Sequence, residues 1–531
     1  MKLYHLKKIR IVVSLIFFAA LLFLFLNIEL PFFKQTGSVL LHLQFFPSIL
    51  HFLAVLFSIS ALGFVFVILL TLIFGRVYCS SICPLGTFMD IVSATARQFK
   101  KKRQRRFHFT SNRKRVLRYT ILGATLLLWA GGSLFLLNLL DPYSNFGKIT
   151  TGFFQPAYIW LQNTMVFTLE NFDIFTFRPL SMHALPWDVL LVSLVIFLVI
   201  VTMAAWRGRL FCNTICPVGS LLGLIASRAY YRIAFTEDAC SMCTRCEWVC
   251  KAECLDSKTK TIDKSRCVSC FNCFSSCKNH GLHYAHIPLT TKTKKTEEKA
   301  ANPQNVEKRN FLLTLTAGLL SIPLLKRKAF PQGTTTELPG MIPHNDHLPA
   351  TPPGSLSHEN FNDLCISCYR CVGACPTKVI VPAFFDFGLK GFMQPKLDFE
   401  RSFCNFDCVE CTNVCPTGAI RPQTIKEKQQ IRIGVARFLS ESCIVTVDET
   451  DCGSCSEHCP TKAVKMVPYR NGLSIPQVTP KYCVGCGACE FACPTSPYKA
   501  IYVAGISIHE TAQTIDDSEG PKEDDAEEFP F

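Results

Sequence analysis

Acidic residues are scarce in the first 330 positions of this 531-residue chain, where 15 Asp and Glu face 39 Lys and Arg. From Pro331 onward the balance reverses, to 25 acids against 16 bases. The asymmetry points to two surfaces or two compartments. The basic patches carry no interleaved aromatics and no zinc-finger spacing, which argues against nucleic-acid binding. Zinc ribbons use two C-x2-C pairs separated by a longer loop, and triple C-x2-C-x2-C runs are not that pattern. Irregular cysteine spacing is missing, and with it the disulfide framework of a short secreted domain. The long apolar runs lack His pairs, so no ladder of haem ligands crosses them: His51 sits at the mouth of one run, and His42 and His183 fall in loops. The first run follows a basic start with no small-residue cleavage site, and reads as a retained span rather than a signal peptide.

What is abundant is cysteine, 29 residues, of which 24 fall into six quartets. They are Cys240, Cys243, Cys246 and Cys250; Cys267, Cys270, Cys273 and Cys277; Cys365, Cys368, Cys371 and Cys375; Cys404, Cys408, Cys411 and Cys415; Cys443, Cys452, Cys455 and Cys459; and Cys483, Cys486, Cys489 and Cys493. Four quartets follow C-x2-C-x2-C-x3-C without change, and the fourth and fifth stretch only the first gap. Three closely spaced thiolates wrap one 4Fe-4S cluster while the last cysteine reaches the partner cluster. Six such clusters are therefore expected, with the cysteines as ligands and no catalytic residue. Adjacent and nested pairing of the last four quartets both fit the spacing. Cys254 is an extra thiol, expected to be a buried spare, with a substitute ligand as the alternative. Gly485 and Gly487 suit a loop whose amides approach cluster sulfurs closely.

Four apolar segments reach bilayer length: Ile9 to Leu30, Ile49 to Phe74, Val116 to Leu140 and Trp187 to Trp206. The loop after the second holds a basic run from Lys100 to Arg106 and the single acid Asp90, so the positive-inside rule puts both termini of this unit in the cytoplasm. Anionic lipid head groups account for the basic run. At the ends of the second and fourth segments the chain repeats itself, as Gly75-Arg-Val-Tyr-Cys79-Ser-Ser-Ile-Cys83-Pro84 and Gly208-Arg-Leu-Phe-Cys212-Asn-Thr-Ile-Cys216-Pro217. Each C-x3-C is expected to put two sulfurs on one face of a helical turn, with the Pro redirecting the chain. Cys79, Cys83, Cys212 and Cys216 are thus candidate redox or metal thiols at the interface of a duplicated hairpin. Asp141 and Asp188, at span ends, are candidate proton acceptors.

The expected architecture is multi-domain. A four-helix transmembrane bundle (1–235) carries a cytoplasmic two-cluster ferredoxin module (236–286); a linker (287–310) leads to a short apolar segment (308–330), an α+β four-cluster polyferredoxin domain (331–510) and an acidic tail (511–531). Lys308-Arg309-Asn310-Phe311-Leu312 before the short apolar run resembles a twin-arginine export signal, which would carry an already folded cluster domain across the membrane; the alternative is a fifth membrane anchor.

The first half, with its spans, paired Cys-x3-Cys-Pro motifs and two quartets, resembles the NapH-type membrane ferredoxins of periplasmic nitrate reductase systems. The second half, with its export-like start, Pro-Pro-Gly354 and four quartets, is similar to the NapG/MauM-type ferredoxins. The chain looks like a fusion of the two. The resemblance implies an inner-membrane electron-transfer subunit rather than a stand-alone enzyme, taking electrons from quinol (menaquinol, through the quinone pool) and passing them to a periplasmic reductase or cytochrome partner. An alternative is a copper-reducing, maturation or regulatory membrane ferredoxin, in which the four paired thiols bind a soft metal.

Overall fold

A computed structural model describes residues 4–286, except 29–36, 38, 56–61, 102–103, 110–114, 174, 176, 182–185, 237–238, 278 and 280, together with residues 348–514. The linker, the export-like segment, His183 and the tail from 515 lie outside the described residues. The helical unit runs α1 (Tyr4–Leu26), α2 (Phe45–Ala54), α3 (Gly63–Phe74), α4 (Val77–Ser81), α5 (Pro84–Phe99), α6 (Arg115–Ala130), α7 (Phe135–Leu140), α8 (Pro142–Ile149), α9 (Gln155–Glu170), α10 (Trp187–Arg207), α11 (Leu210–Thr214) and α12 (Pro217–Ala226). Among the described residues, α1 and α10 are the two helices long and apolar enough to cross a membrane.

The other two expected spans are not single helices. The second divides into α2 and α3, and the third into α6 and α7. The third breaks at Gly131-Gly132, where Gly132 takes a left-handed φ of 78° and the Ser133 N–H reaches back to the Leu128 carbonyl at 2.9 Å. That bonding is a Schellman stop, and hydropathy alone does not register it. The stretch between the third and fourth apolar segments, 141–186, holds α8, a π-helical turn (Thr150–Phe154) and α9. Its inward face mixes apolar Phe146 and Ile149 with the buried polar Asn145, Lys148, Thr150, Thr151 and Gln155, so an apolar-run search passes over it. Asp141 caps α8, accepting the Ser144 N–H at 2.8 Å, and is 1% exposed.

The two-cluster module pairs β1 (Tyr231–Phe235) with β4 (Leu282–His286), and β2 (Leu255–Asp256) with β3 (Thr261–Ile262), both antiparallel. In the four-cluster part β5 (Ile380–Pro382) pairs with β6 (Pro395–Leu397), β8 (Val464–Pro468) with β9 (Ser474–Val478), and β7 (Ile431–Phe438) with the distant β10 (Ile501–Thr511). The sheet continues past the expected boundary at 510: Ala512 is buried and its N–H bonds the Gln430 carbonyl at 2.7 Å. The two cluster regions pack on opposite ends of α1. Near its start the Lys7 Nζ donates to Ser275 Oγ at 3.1 Å. At its other end the Phe25 carbonyl lies against Gly373, and Phe25 packs on Tyr143 at 5.5 Å between ring centroids. Twenty-three residues at 1.5 Å each make α1 about 34 Å long.

Candidate metal centres

The cysteines of the quartets line cavities, and they do so in exchanged sets. Cys240, Cys243 and Cys246 share a cavity with Cys277 of the second quartet, and Cys267, Cys270 and Cys273 share theirs with Cys250 of the first. In the third and fourth quartets, Cys375 lines the cavity of Cys404, Cys408 and Cys411, while Cys415 bears electrostatically on Cys365, Cys368 and Cys371. In the last pair Cys493 joins Cys443, Cys452 and Cys455, and Cys459 bears on Cys483, Cys486 and Cys489. Of the two pairings left open by the spacing, the structure adopts the adjacent one.

Burial pushes the bare Cys368 and Cys486 thiols up to about 12 and Cys246 and Cys455 up to about 11. Loading with iron must therefore expel protons, because the ligand is the thiolate. The donor sets fit iron-sulfur clusters: three of these four cavities are lined by four cysteines contributed by two quartets and the other by five, and amides are turned toward sulfur. The Gly281 N–H meets Cys277 Sγ at 3.2 Å and the Ala436 N–H meets Cys483 Sγ at 3.5 Å.

The four unstretched quartets share one backbone device. The residue two after the first cysteine and the residue one after the second are left-handed: Met242 and Thr244, Ser269 and Phe271, Ser367 and Tyr369, Gly485 and Gly487. Alternating hand turns successive N–H groups toward one concavity, which suits an anionic group. Glycine is thus not required by the loop itself, as six of these eight positions carry side chains. At 485 and 487 it is required by neighbours: a Cβ at 485 would lie 2.4 Å from the Gly434 carbonyl oxygen, and one at 487 would lie 2.0 Å from the Phe399 ring.

Cys254, 1% exposed, lies 3.6 Å from Cys250, sulfur to sulfur, as a fifth thiol in the second cavity. The paired motifs differ from the expected single face. Cys79 and Cys212 sit within α4 and α11, but Cys83 and Cys216 are extended N-caps, with Pro84 and Pro217 opening α5 and α12. The four buried thiols act electrostatically on one another.

Two arginines cross between the repeats. Arg76 reaches Cys79 Sγ at 3.8 Å in its own repeat and the Cys212 carbonyl at 3.2 Å in the other. Arg209 mirrors it, with Cys212 Sγ at 4.0 Å and the Cys79 carbonyl at 2.6 Å. Gly86 and Gly219 leave the room: a Cβ on either would come within 2.9 Å of the crossing guanidinium. The symmetry ends at the acid. Asp90 holds Arg209 at 2.9 Å, Arg10 at 3.1 Å and Lys251 at 3.3 Å, tying α1, both repeats and the two-cluster module together. Arg76 instead donates to Asn213 at 2.8 Å and to the Ser265 carbonyl at 3.1 Å. The sequence reading missed these roles, although the Gly-Arg pair in both copies and the solitary acid of a basic loop were visible signals.

The basic run also has partners inside the chain, since Lys100 donates to the Ala205 carbonyl at 2.6 Å and Arg106 stacks 3.8 Å over Trp248. His42 and His51 pack edge to face at 4.6 Å, with His51 beside Gly418 of the four-cluster part. Among the described residues no group of three or more His, Cys, Asp and Glu is arranged to hold a single metal ion.

A 4Fe-4S dicluster domain family matches residues 364–420, enclosing the third and fourth quartets, and another matches 450–496, enclosing Cys452 to Cys493. These are ferredoxin-type 4Fe-4S domains. A third family, a 4Fe-4S binding domain, matches 56–106 and 189–230, the two stretches that hold the paired motifs. An uncharacterized protein of Methanocaldococcus jannaschii is 25% identical over 224 residues, 42% of this chain and 77% of that protein. The methylamine utilization ferredoxin-type protein MauM of Methylophilus methylotrophus is 31% identical over 25% of this chain and 61% of its own length. The ferredoxin-type protein NapH of Escherichia coli is 24% identical over 41% of this chain and 66% of its own length. The chain thus spans less than two thirds of either of these named relatives. No solved structure matches it.

Proposed function

We propose that this chain is a membrane electron-transfer protein that carries electrons from the quinone pool, through six 4Fe-4S clusters, to a periplasmic reductase or cytochrome partner. The observation that carries the reading is the placement of two groups of cysteine-lined cavities on opposite ends of α1, with the paired thiols in the helical unit between them. Each cluster, when bound, supplies one-electron redox chemistry whose potential follows charge, hydrogen bonding and solvent access. The chain supplies the rest: the exchanged thiolates hold the iron, left-handed loops aim amides at sulfur, and the buried cysteines keep water from most of the sites.

The helical unit would bridge the two groups. Arg76 joins Cys79 to the Ser265 carbonyl, two residues before Cys267. At the other end Ser144 Oγ donates to the Ser367 carbonyl at 3.2 Å, beside Cys368. On this reading the two-cluster module faces the cytoplasm and the four-cluster domain the periplasm. An alkaline-phosphatase reporter fused after Gly354 tests the topology: activity supports it, and an inactive reporter with an active cytoplasmic one places both groups on one side. Menaquinol added to the anaerobic protein should bleach the cluster absorption, and no bleaching would remove quinol as donor.

A further inference from the structure

The cysteine that ends each quartet has a repeated companion. In the last four quartets the chain continues Cys-Pro-Thr, at Cys375-Pro376-Thr377, Cys415-Pro416-Thr417, Cys459-Pro460-Thr461 and Cys493-Pro494-Thr495. In every case the threonine hydroxyl lies on the cysteine sulfur, at 3.6, 3.7, 3.7 and 3.1 Å in that order. The first quartet lacks Pro-Thr after Cys250, and there Cys254 occupies the place, 3.6 Å from Cys250 Sγ. Only the second quartet has neither; its Cys277 Sγ takes the Gly281 N–H instead.

The direction of these contacts follows from chemistry. A cysteine bound to iron has lost its proton and can only accept, so the hydroxyl, or the Cys254 thiol, must be the donor. Thr495 Oγ1 accepts the Ala500 N–H at 2.9 Å and Thr417 Oγ1 the Ala419 N–H at 3.4 Å. An accepted N–H leaves each hydroxyl proton to point at sulfur. Cys254 is held as firmly: its carbonyl accepts the Asp263 N–H at 2.8 Å, and the residue before it, Glu253, is left-handed at φ 51°. That conformation is unfavourable for a residue with a Cβ, and here it turns the following thiol back toward Cys250.

Resting on the 4Fe-4S reading, we propose that Thr377, Thr417, Thr461, Thr495 and Cys254 are positioning residues. Each donates a hydrogen bond to the exchanged cysteine and raises the reduction potential of the cluster that cysteine joins. Reduction adds negative charge to the cluster, and a donor at its sulfur stabilises the reduced form more than the oxidised one. Because the fourth cysteines are exchanged, Thr495 acts on the site of Cys443, Cys452 and Cys455, and Cys254 on that of Cys267, Cys270 and Cys273.

The test is an anaerobic redox titration of the full chain, followed by electron paramagnetic resonance with iron counted in the same samples. Thr495→Val keeps the shape and removes the donor. One cluster in the Val variant should become harder to reduce by tenfold or more, a fall of about 59 mV for one electron, while the others hold their potentials and iron is retained. Thr495→Ser should restore the value. Cys254→Ala should lower a different cluster in the same way with full iron, whereas Cys250→Ser should cost one cluster. Unchanged midpoints in both Thr495→Val and Cys254→Ala, at full iron content, would overturn the proposal. Loss of a cluster in Cys254→Ala would do so as well, by making Cys254 a ligand. A wild-type chain without cluster iron would instead refute the 4Fe-4S reading beneath it.

Discussion

Asp90 joins α1, both repeats and the two-cluster module through a single carboxylate. Replacing it by Asn keeps the shape but removes the charge facing Arg209, whose side chain is fully buried, and Arg10, whose side chain is 7% exposed. The pair cannot be treated as a surface salt bridge worth a fraction of a kcal/mol, because the guanidinium of Arg209 has no solvent to fall back on. Breaking one partner of such a pair costs about 3–5 kcal/mol, since the other charge stays buried and uncompensated. For a unit of this size 1 kcal/mol moves a melting midpoint by about 2–4 °C, so Asp90→Asn should lower the first thermal transition by on the order of 10 °C in detergent. Part of that loss is the stranded cation, so adding Arg209→Met to Asp90→Asn should recover several degrees, a coupling that only neighbouring groups show. Melting of the purified variants by intrinsic fluorescence reads both effects. A shift under 2 °C for Asp90→Asn, or strictly additive losses in the double variant, would refute the role given to this carboxylate.

The remaining predictions concern the four-cluster part. Gly487→Ala should cost the protein one or both of its last clusters, seen as iron lost per chain, because a Cβ there meets the Phe399 ring at 2.0 Å on a backbone with φ 80°; full iron content would show that the ring moves aside. The exchanged pairing predicts non-additive loss: Cys375→Ser with Cys404→Ser should remove one cluster, about four irons, whereas Cys375→Ser with Cys365→Ser should remove two, and the reverse pattern would favour unexchanged ligands. Burial raises Glu490 to about 7, while its carboxylate accepts the Val503 N–H at 2.6 Å. A carboxyl raised in the folded state stabilises fully below about pH 4.5, and that contribution is lost as pH climbs through 7. Glu490→Gln should therefore melt higher than wild type at pH 8 and equally at pH 4.5, and a pH-independent difference would contradict the assignment.

Local spacing carried the chemistry further than it carried the fold. Three cysteines within seven residues define a loop whose form is set by short-range geometry, which is why the quartets could be read directly. The destination of the fourth cysteine depends on which loops pack together, and spacing left that open. Hydropathy found α1 and α10 because each is an uninterrupted apolar helix. It failed at Gly131-Gly132, where a helix stop sits inside an apolar run, and at Asn145 to Gln155, where buried polar residues among apolar ones hide a helix. The C-x3-C reading assumed one helix, but Pro84 and Pro217 begin new ones and leave Cys83 and Cys216 on extended caps. The crossing of Arg76 and Arg209 is tertiary, and only the duplicated Gly-Arg hinted at it. The Cys-Pro-Thr repeat was in plain view, but its importance appears only when the hydroxyl is seen on the sulfur.

The central claim is that all six quartets hold 4Fe-4S clusters, joined by exchanged cysteines, on one continuous chain. Iron and acid-labile sulfide counted on the anaerobically purified protein, with Mössbauer spectra of the same sample, test it most directly. Six clusters of four irons predict about 24 iron and about 24 sulfide per chain, all in cubane-type environments. A protein saturated at markedly fewer irons, or one carrying zinc in place of iron and no sulfide, would contradict it.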